Sequence, residues 1–158
     1  MAVITRTVTV NAAFLQEIKD DAEELRQLFR RLEDGLLSES PPRMPRHHLF
    51  SALSELRDQL AMHFSLEEAY GYFEDAIDVA PRLSAKADEL RSEHEAFYND
   101  LGEMVEHAEQ LLHRESPEHQ MGRVARRFGD FLEMFRRHES AENEMIQQAF
   151  TEDLGGWD

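Results

Sequence analysis

The sequence predicts an all-α protein, an antiparallel up-down four-helix bundle, on three observations. Apolar residues recur at alternating steps of three and four along four segments, as in helices that bury a single stripe. All five prolines fall at the boundaries of those segments and none in their interiors. The connections are short, which makes neighbouring helices antiparallel. A chain of 158 residues is one domain with room for a real core.

Residues 1–10 alternate Val and Thr like a strand but have no partner, so they are expected to form an extended arm. Asn11 is placed to cap a first helix running to about Leu37, with Phe14, Ile18, Leu25, Phe29 and Leu32 on its apolar stripe. Residues 38–45 hold three prolines and form a loop. The second helix carries Leu49, Leu53, Leu56 and Leu60 on one face. A turn follows at Asp78-Val-Ala-Pro81, with Pro81 suited to a first helical turn. The third helix buries Leu83, Ala87, Leu90, Phe97, Leu101, Met104, Ala108 and Leu111. Ser116-Pro117-Glu118 then has the cap, proline and acid of a new helix start. The fourth helix carries Met121, Val124, Phe128, Phe131, Phe135, Met145 and Ala149, and Gly155-Gly156 ends it. The expected organisation is thus an arm over 1–10, a bundle over 11–152 and a tail over 153–158.

Composition narrows the function. Against 17 Lys and Arg stand 33 Asp and Glu, a formal net charge of −16. This opposes nucleic acid and anionic membrane surfaces, which need basic patches. Without cysteine, neither a disulfide framework nor a thiolate zinc site can form, and a cytoplasmic location is expected. The first ten residues lack the apolar run of a signal peptide, and no stretch approaches the roughly 20 apolar residues that span a bilayer.

Chemistry enters where ionisable residues interrupt the apolar stripes. Continued past Leu60, the second stripe lands on His63, Glu67 and Tyr70. The third passes from Leu90 to His94, and the fourth from Phe135 to His138, Glu142 and Met145. His63 and Glu67, like His138 and Glu142, are four apart and stack on one helix face. A buried unpaired charge costs several kcal/mol (roughly) even after relaxation, so five such groups need compensation, which a metal cation supplies. The three histidines also lie at similar distances from the turns, which places them within roughly one helical turn of one another at about 1.5 Å rise per residue. At the same level the first helix offers Ile18, Asp21, Ala22 and Leu25. His47, His48, His107, His113 and His119 lie off the stripes or near helix ends and are read as surface residues.

Three segments, His63-Phe-Ser-Leu-Glu67-Glu68, Ser92-Glu93-His94 and His138-Glu139-Ser-Ala-Glu142-Asn-Glu144, together resemble the hemerythrin-like, or HHE cation-binding, family. The similarity spans roughly residues 12 to 150. The resemblance implies a hemerythrin-like bundle around a non-haem di-iron centre. It makes His63, Glu67, His94, His138 and Glu142 the metal ligands, with bridging glutamates. The activities it implies are reversible dioxygen binding, oxygen or redox sensing, and iron handling. Two iron ions are expected on this basis, while the donor chemistry also suits one iron, manganese or zinc.

Two positions depart from the family pattern. The family's helix-one histidine falls on Ala22, and the second helix-three histidine of the oxygen carriers falls on Tyr98. Asp21 could replace the missing ligand. Alternatively, Ala22 leaves room for water, an anion or a small ligand, or one ion is held tightly beside a weak site. Tyr98 and Tyr70 are either hydrogen-bond donors to the ligands or ordinary amphipathic packing. Glu139 and Glu68 either join the site or flank it in water.

The expected function is therefore hemerythrin-like, non-haem iron binding with an incomplete ligand set, serving dioxygen or small-ligand binding, redox sensing or iron handling. No nucleophile or general base stands out apart from the ligands. Two alternatives remain open: a metal-free or decayed-site bundle acting as an interaction module, and a di-iron oxidase-type enzyme. The arm and the Trp157 tail leave a homodimer open.

Overall fold

The computed structural model describes residues 20–39, 42–69, 80–113 and 119–155. The extended arm, Asn11, Phe14, Ile18, Tyr70, most of the second turn, the Ser116-Pro117-Glu118 start and Trp157 lie outside these residues. The chain is an all-α, hemerythrin-like four-helix bundle. Helix α1 is described over residues 20–36, α2 is Arg46–Ala69, α3 is Ser84–His113 and α4 is His119–Gly155. The last helix thus extends three residues past position 152, into the stretch read from the sequence as tail.

Local chemistry accounts for the boundaries. The amide of Leu37 donates to the Glu33 carbonyl at 2.8 Å and closes the last turn of α1. After the proline-rich segment, the Leu49 amide donates to the Pro45 carbonyl at 2.9 Å, which opens α2. Before α3, Ala80 leaves helical geometry at φ −136°, ψ 82°, and Pro81–Leu83 form a 3-10 turn. A proline at this point loses no hydrogen bond that the helix would have made.

Polar cross-links fix the register of neighbouring helices. An Arg46 guanidinium at the start of α2 donates to the Leu111 carbonyl near the end of α3 at 3.1 Å. From Arg46 forward to His63, and from Leu111 back to His94, the chain covers the same number of residues, so antiparallel packing brings the two histidines level. Between α3 and α4, Arg127 bonds Asp100 at 2.8 Å and also pairs with Glu103, while His107 meets Gln120 at 3.3 Å. Helix α1 packs on α4, where Phe29 lies 6.3 Å from Phe128, 6.2 Å from Phe131 and 4.9 Å from Phe135 between ring centroids.

Every described stripe residue anticipated from the sequence is buried, joined by Leu28, Leu36, Val105, Ala125 and Leu132. The core nevertheless falls into two parts. The larger contains the leucines of α1 and α2 with the phenylalanines of α3 and α4, and the smaller gathers Ala80, Leu83, Ala87, Leu90, Met145 and Ala149. Between them lies a layer of buried polar side chains: Asp21, His63, Glu67, His94, His138 and Glu142.

Phe128 is fully buried in the larger part. Phe128→Ala should cost about 3–5 kcal/mol in urea unfolding of chelator-treated protein. Met134 is 61% exposed, and Met134→Ala should stay within about 0.5 kcal/mol.

Candidate metal centre

Three imidazoles and their carboxylate neighbours make up the polar layer, and each ring is held in the same way. On α2, His63 turns Nδ1 outward to Asp21 Oδ2 of α1 at 2.7 Å, and places Nε2 2.9 Å from Glu67 Oε1. On α3, His94 sets Nδ1 3.0 Å from Glu68 Oε1 of α2, and Nε2 3.1 Å from Glu142 Oε1 and 3.5 Å from Glu67 Oε2. On α4, His138 sets Nδ1 2.6 Å from Glu93 Oε2 of α3, and Nε2 2.5 Å from Glu142 Oε1. All three rings therefore carry an outer carboxylate on Nδ1 and direct Nε2 toward Glu67 and Glu142. An Nδ1–H donated to a carboxylate leaves Nε2 with its lone pair free for a metal, and makes it more basic.

Aromatic rings frame the layer on the side of the larger core. Phe64 stacks on His94 with centroids 3.8 Å apart and planes 6° from parallel. Phe97 meets His138 edge-on at 5.1 Å, and Phe135 lies 6.2 Å from the same ring.

The charge states respond to this crowding. Burial acts to lower the His63 pKa, but Glu67 and then Asp21 outweigh it and hold the ring at about 9. His138 is likewise raised, since Glu142 and then Glu93 overcome its burial. The two inner carboxylates diverge. Burial pushes Glu67 up, with Glu142 adding repulsion against the pull of His63 and His94. Burial acts in the same direction on Glu142, but its close contacts with His138 and His94 prevail and bring it down.

A cation fits this donor set on direct structural grounds. Among the described residues, the buried side-chain polar atoms without a hydrogen-bond partner include Glu67 Oε2 and His138 Nε2, both on the inner side of the layer. His138 Nε2 has Glu142 Oε1 at 2.5 Å as an ion-pair contact, but not as a well-formed hydrogen bond. Orphaned buried donors and acceptors are costly, and a metal ion satisfies both kinds at once. One donor atom each from His94, His138 and Glu142 lie within 4.8 Å of one another, close enough to share one ion.

The five residues expected as ligands thus come together, each at most 4% exposed. Of the further candidates, Asp21 is buried, and its carboxylate engages the outer nitrogen of His63. Ala22 is half-buried and offers no donor. Tyr98 is 43% exposed, so a surface position stands where the oxygen carriers have their second helix-three histidine. Glu139 is half-buried, is raised by burial, and lines a cleft of about 250 Å³ between α1 and α4 with Arg26, Arg30 and Phe135. On the opposite face, a groove of about 540 Å³ between α3 and α4, lined by Phe97, Phe131 and Met134, reaches His138. His47, His48 and His113 are exposed, and His107 is half-buried on Gln120.

Sequence reasoning missed the outer role of Glu93 and left open whether Asp21 and Glu68 join the site. The available signal was the pair of acids adjoining ligands, Glu68 after Glu67 and Glu93 before His94. A helical neighbour of a core residue sits at the interface edge, where it can reach the next helix.

A family model described as the hemerythrin HHE cation binding domain matches residues 13–150. The chain belongs to that family, and the family is one of metal-binding domains. No curated protein and no solved structure matches the chain. Among the described residues, no helix is long and apolar enough to cross a membrane.

Folding raises the His63 pKa from 6.5 to about 9, so this pairing stabilises the metal-free fold fully below pH 6.5 and fades as pH climbs through about 9. His138 shifts in the same direction. The melting temperature of chelator-treated protein should therefore fall across that interval when followed by circular dichroism. His63→Gln should flatten the fall. A melting temperature that rises with pH would contradict the assignment.

Proposed function

We propose that this chain is a non-haem iron protein of the hemerythrin-like kind, holding iron inside the bundle on His63, Glu67, His94, His138 and Glu142. The observation that carries the proposal is the shared orientation of the three imidazoles. Each is anchored outward by a carboxylate and turns Nε2 to an inner glutamate, His63 to Glu67, His138 to Glu142 and His94 to both. Imidazole and carboxylate donors without thiolate suit iron. When bound, iron would supply a redox couple and coordination positions for an exogenous ligand.

The chain's own residues define what surrounds such an ion. Asp21, Glu68 and Glu93 hold the imidazoles in a fixed tautomer. Phe64, Phe97 and Phe135 exclude water from the side facing the larger core. The groove between α3 and α4 gives a small molecule an approach to the ring of His138. Neither Ala22 nor Tyr98 supplies a donor, so the ligand set is short of the oxygen carriers' complement. We therefore favour a small-ligand binding or sensing role over reversible oxygen carriage, with dioxygen among the ligands to be tried.

Protein purified without chelator should contain iron well above trace level by elemental analysis, and His63→Ala and His138→Ala should each lower it. Iron near zero, even after anaerobic reconstitution with ferrous salt, would overturn the proposal in favour of a metal-free interaction bundle.

A further inference from the structure

The two sides of the polar layer are unequal. On the α3–α4 side, His94, His138 and Glu142 each bring a donor atom into a space no wider than 4.8 Å. Metal–nitrogen and metal–oxygen bonds of about 2.0–2.2 Å would let a single ion contact all three with small adjustments. His138 Nε2 lies 2.5 Å from Glu142 Oε1 without a hydrogen bond of good geometry, and His94 Nε2 lies 3.1 Å from the same oxygen. Two ring nitrogens thus converge on one carboxylate oxygen, an arrangement that an ion among the three would complete.

The α1–α2 side is different. His63 meets Asp21 at 2.7 Å and Glu67 at 2.9 Å, but no third donor joins them: among the described residues, the group of three placed to share one ion is His94, His138 and Glu142. Helix α1 offers an ion here little help. Asp21 is engaged on the outer nitrogen of His63, and Ala22 has only a methyl group.

We infer that metal loads in order: a first, tight ion on His94, His138 and Glu142, and a second, weaker one on His63 and Glu67. The inference rests on the proposed reading of the layer as an iron centre. Two imidazoles and one carboxylate on one ion are the ligand set of ferrous sites that keep open positions. The form carrying one ion is therefore a mononuclear site able to take a small ligand, and the pair of ions forms only at higher metal concentration.

The experiment is an anaerobic titration of the chelator-stripped full chain with ferrous iron, read by equilibrium dialysis, with nitric oxide as a spectroscopic probe at one equivalent. The first equivalent should bind at least about tenfold more tightly than the second, a gap of about 1.4 kcal/mol. The paramagnetic resonance spectrum of the nitrosyl adduct at one equivalent should be that of an isolated ferrous ion. His63→Ala, with His63→Gln as a check should the alanine variant fold poorly, should keep the first equivalent and lose the second. His138→Ala should lose the tight step. Two equivalents taken up with one affinity, or loss of the first equivalent in both His63 variants, would overturn the order while leaving iron binding intact. No uptake by the unaltered chain would overturn the iron reading itself.

Discussion

Charge taken out of water needs an opposite charge close by, and the centre of this bundle is arranged around that requirement. Asp21, Glu67 and Glu142 lie buried with three imidazoles between two apolar clusters, where solvent cannot screen them. In the metal-free chain, protons supply the positive charge. That is why His63 and His138 hold theirs more firmly than free imidazole does, and why one inner glutamate titrates high while its partner titrates low. A cation can take over the same duty. Protons and a bound cation would thus compete for one set of atoms, and other features of the layer serve to hold those atoms in place.

Their positions come from the helices rather than from loops. Level histidines follow from antiparallel register, which Arg46 on the Leu111 carbonyl and Arg127 on Asp100 help to maintain. The outer carboxylates then set each ring. The stacking of Phe64 on His94 and the edge of Phe97 on His138 limit how far the rings can tilt. Replacing such a buried ionic layer with well-packed aliphatic side chains commonly leaves a protein as stable or more so. Stability is therefore a poor explanation for its presence, and ligation of a cation is a better one.

Much of this could be read from the residues in order. The stripes of Leu, Phe and Met mark the helices because a buried face repeats with the helical period. His63, Glu67, His94, His138 and Glu142 stand out because they interrupt that period with groups that should not be there unpaired. The outer carboxylates were harder to see. Acidic residues are abundant in this chain, and an acid flanking the core stripe looks the same whether it faces water or the next helix. Glu68 does both, bonding His94 while its side chain remains 47% exposed. Helix α1 was the least legible. Asp21 and Ala22 are neighbours that differ by about 100° around the axis, and pattern alone placed both inward or nearly so. The structure buries the aspartate and leaves the alanine half-covered.

The larger apolar cluster draws on all four helices and contains none of the ligands. Its apolar packing is built without those five side chains. Small zinc domains differ in this respect, because they collapse when their ion is withdrawn. On the proposed reading, assembly of the scaffold and acquisition of the ion are separable in this chain. Scarcity of metal would leave an intact, vacant receptacle awaiting supply, and return of the metal would restore it without new synthesis.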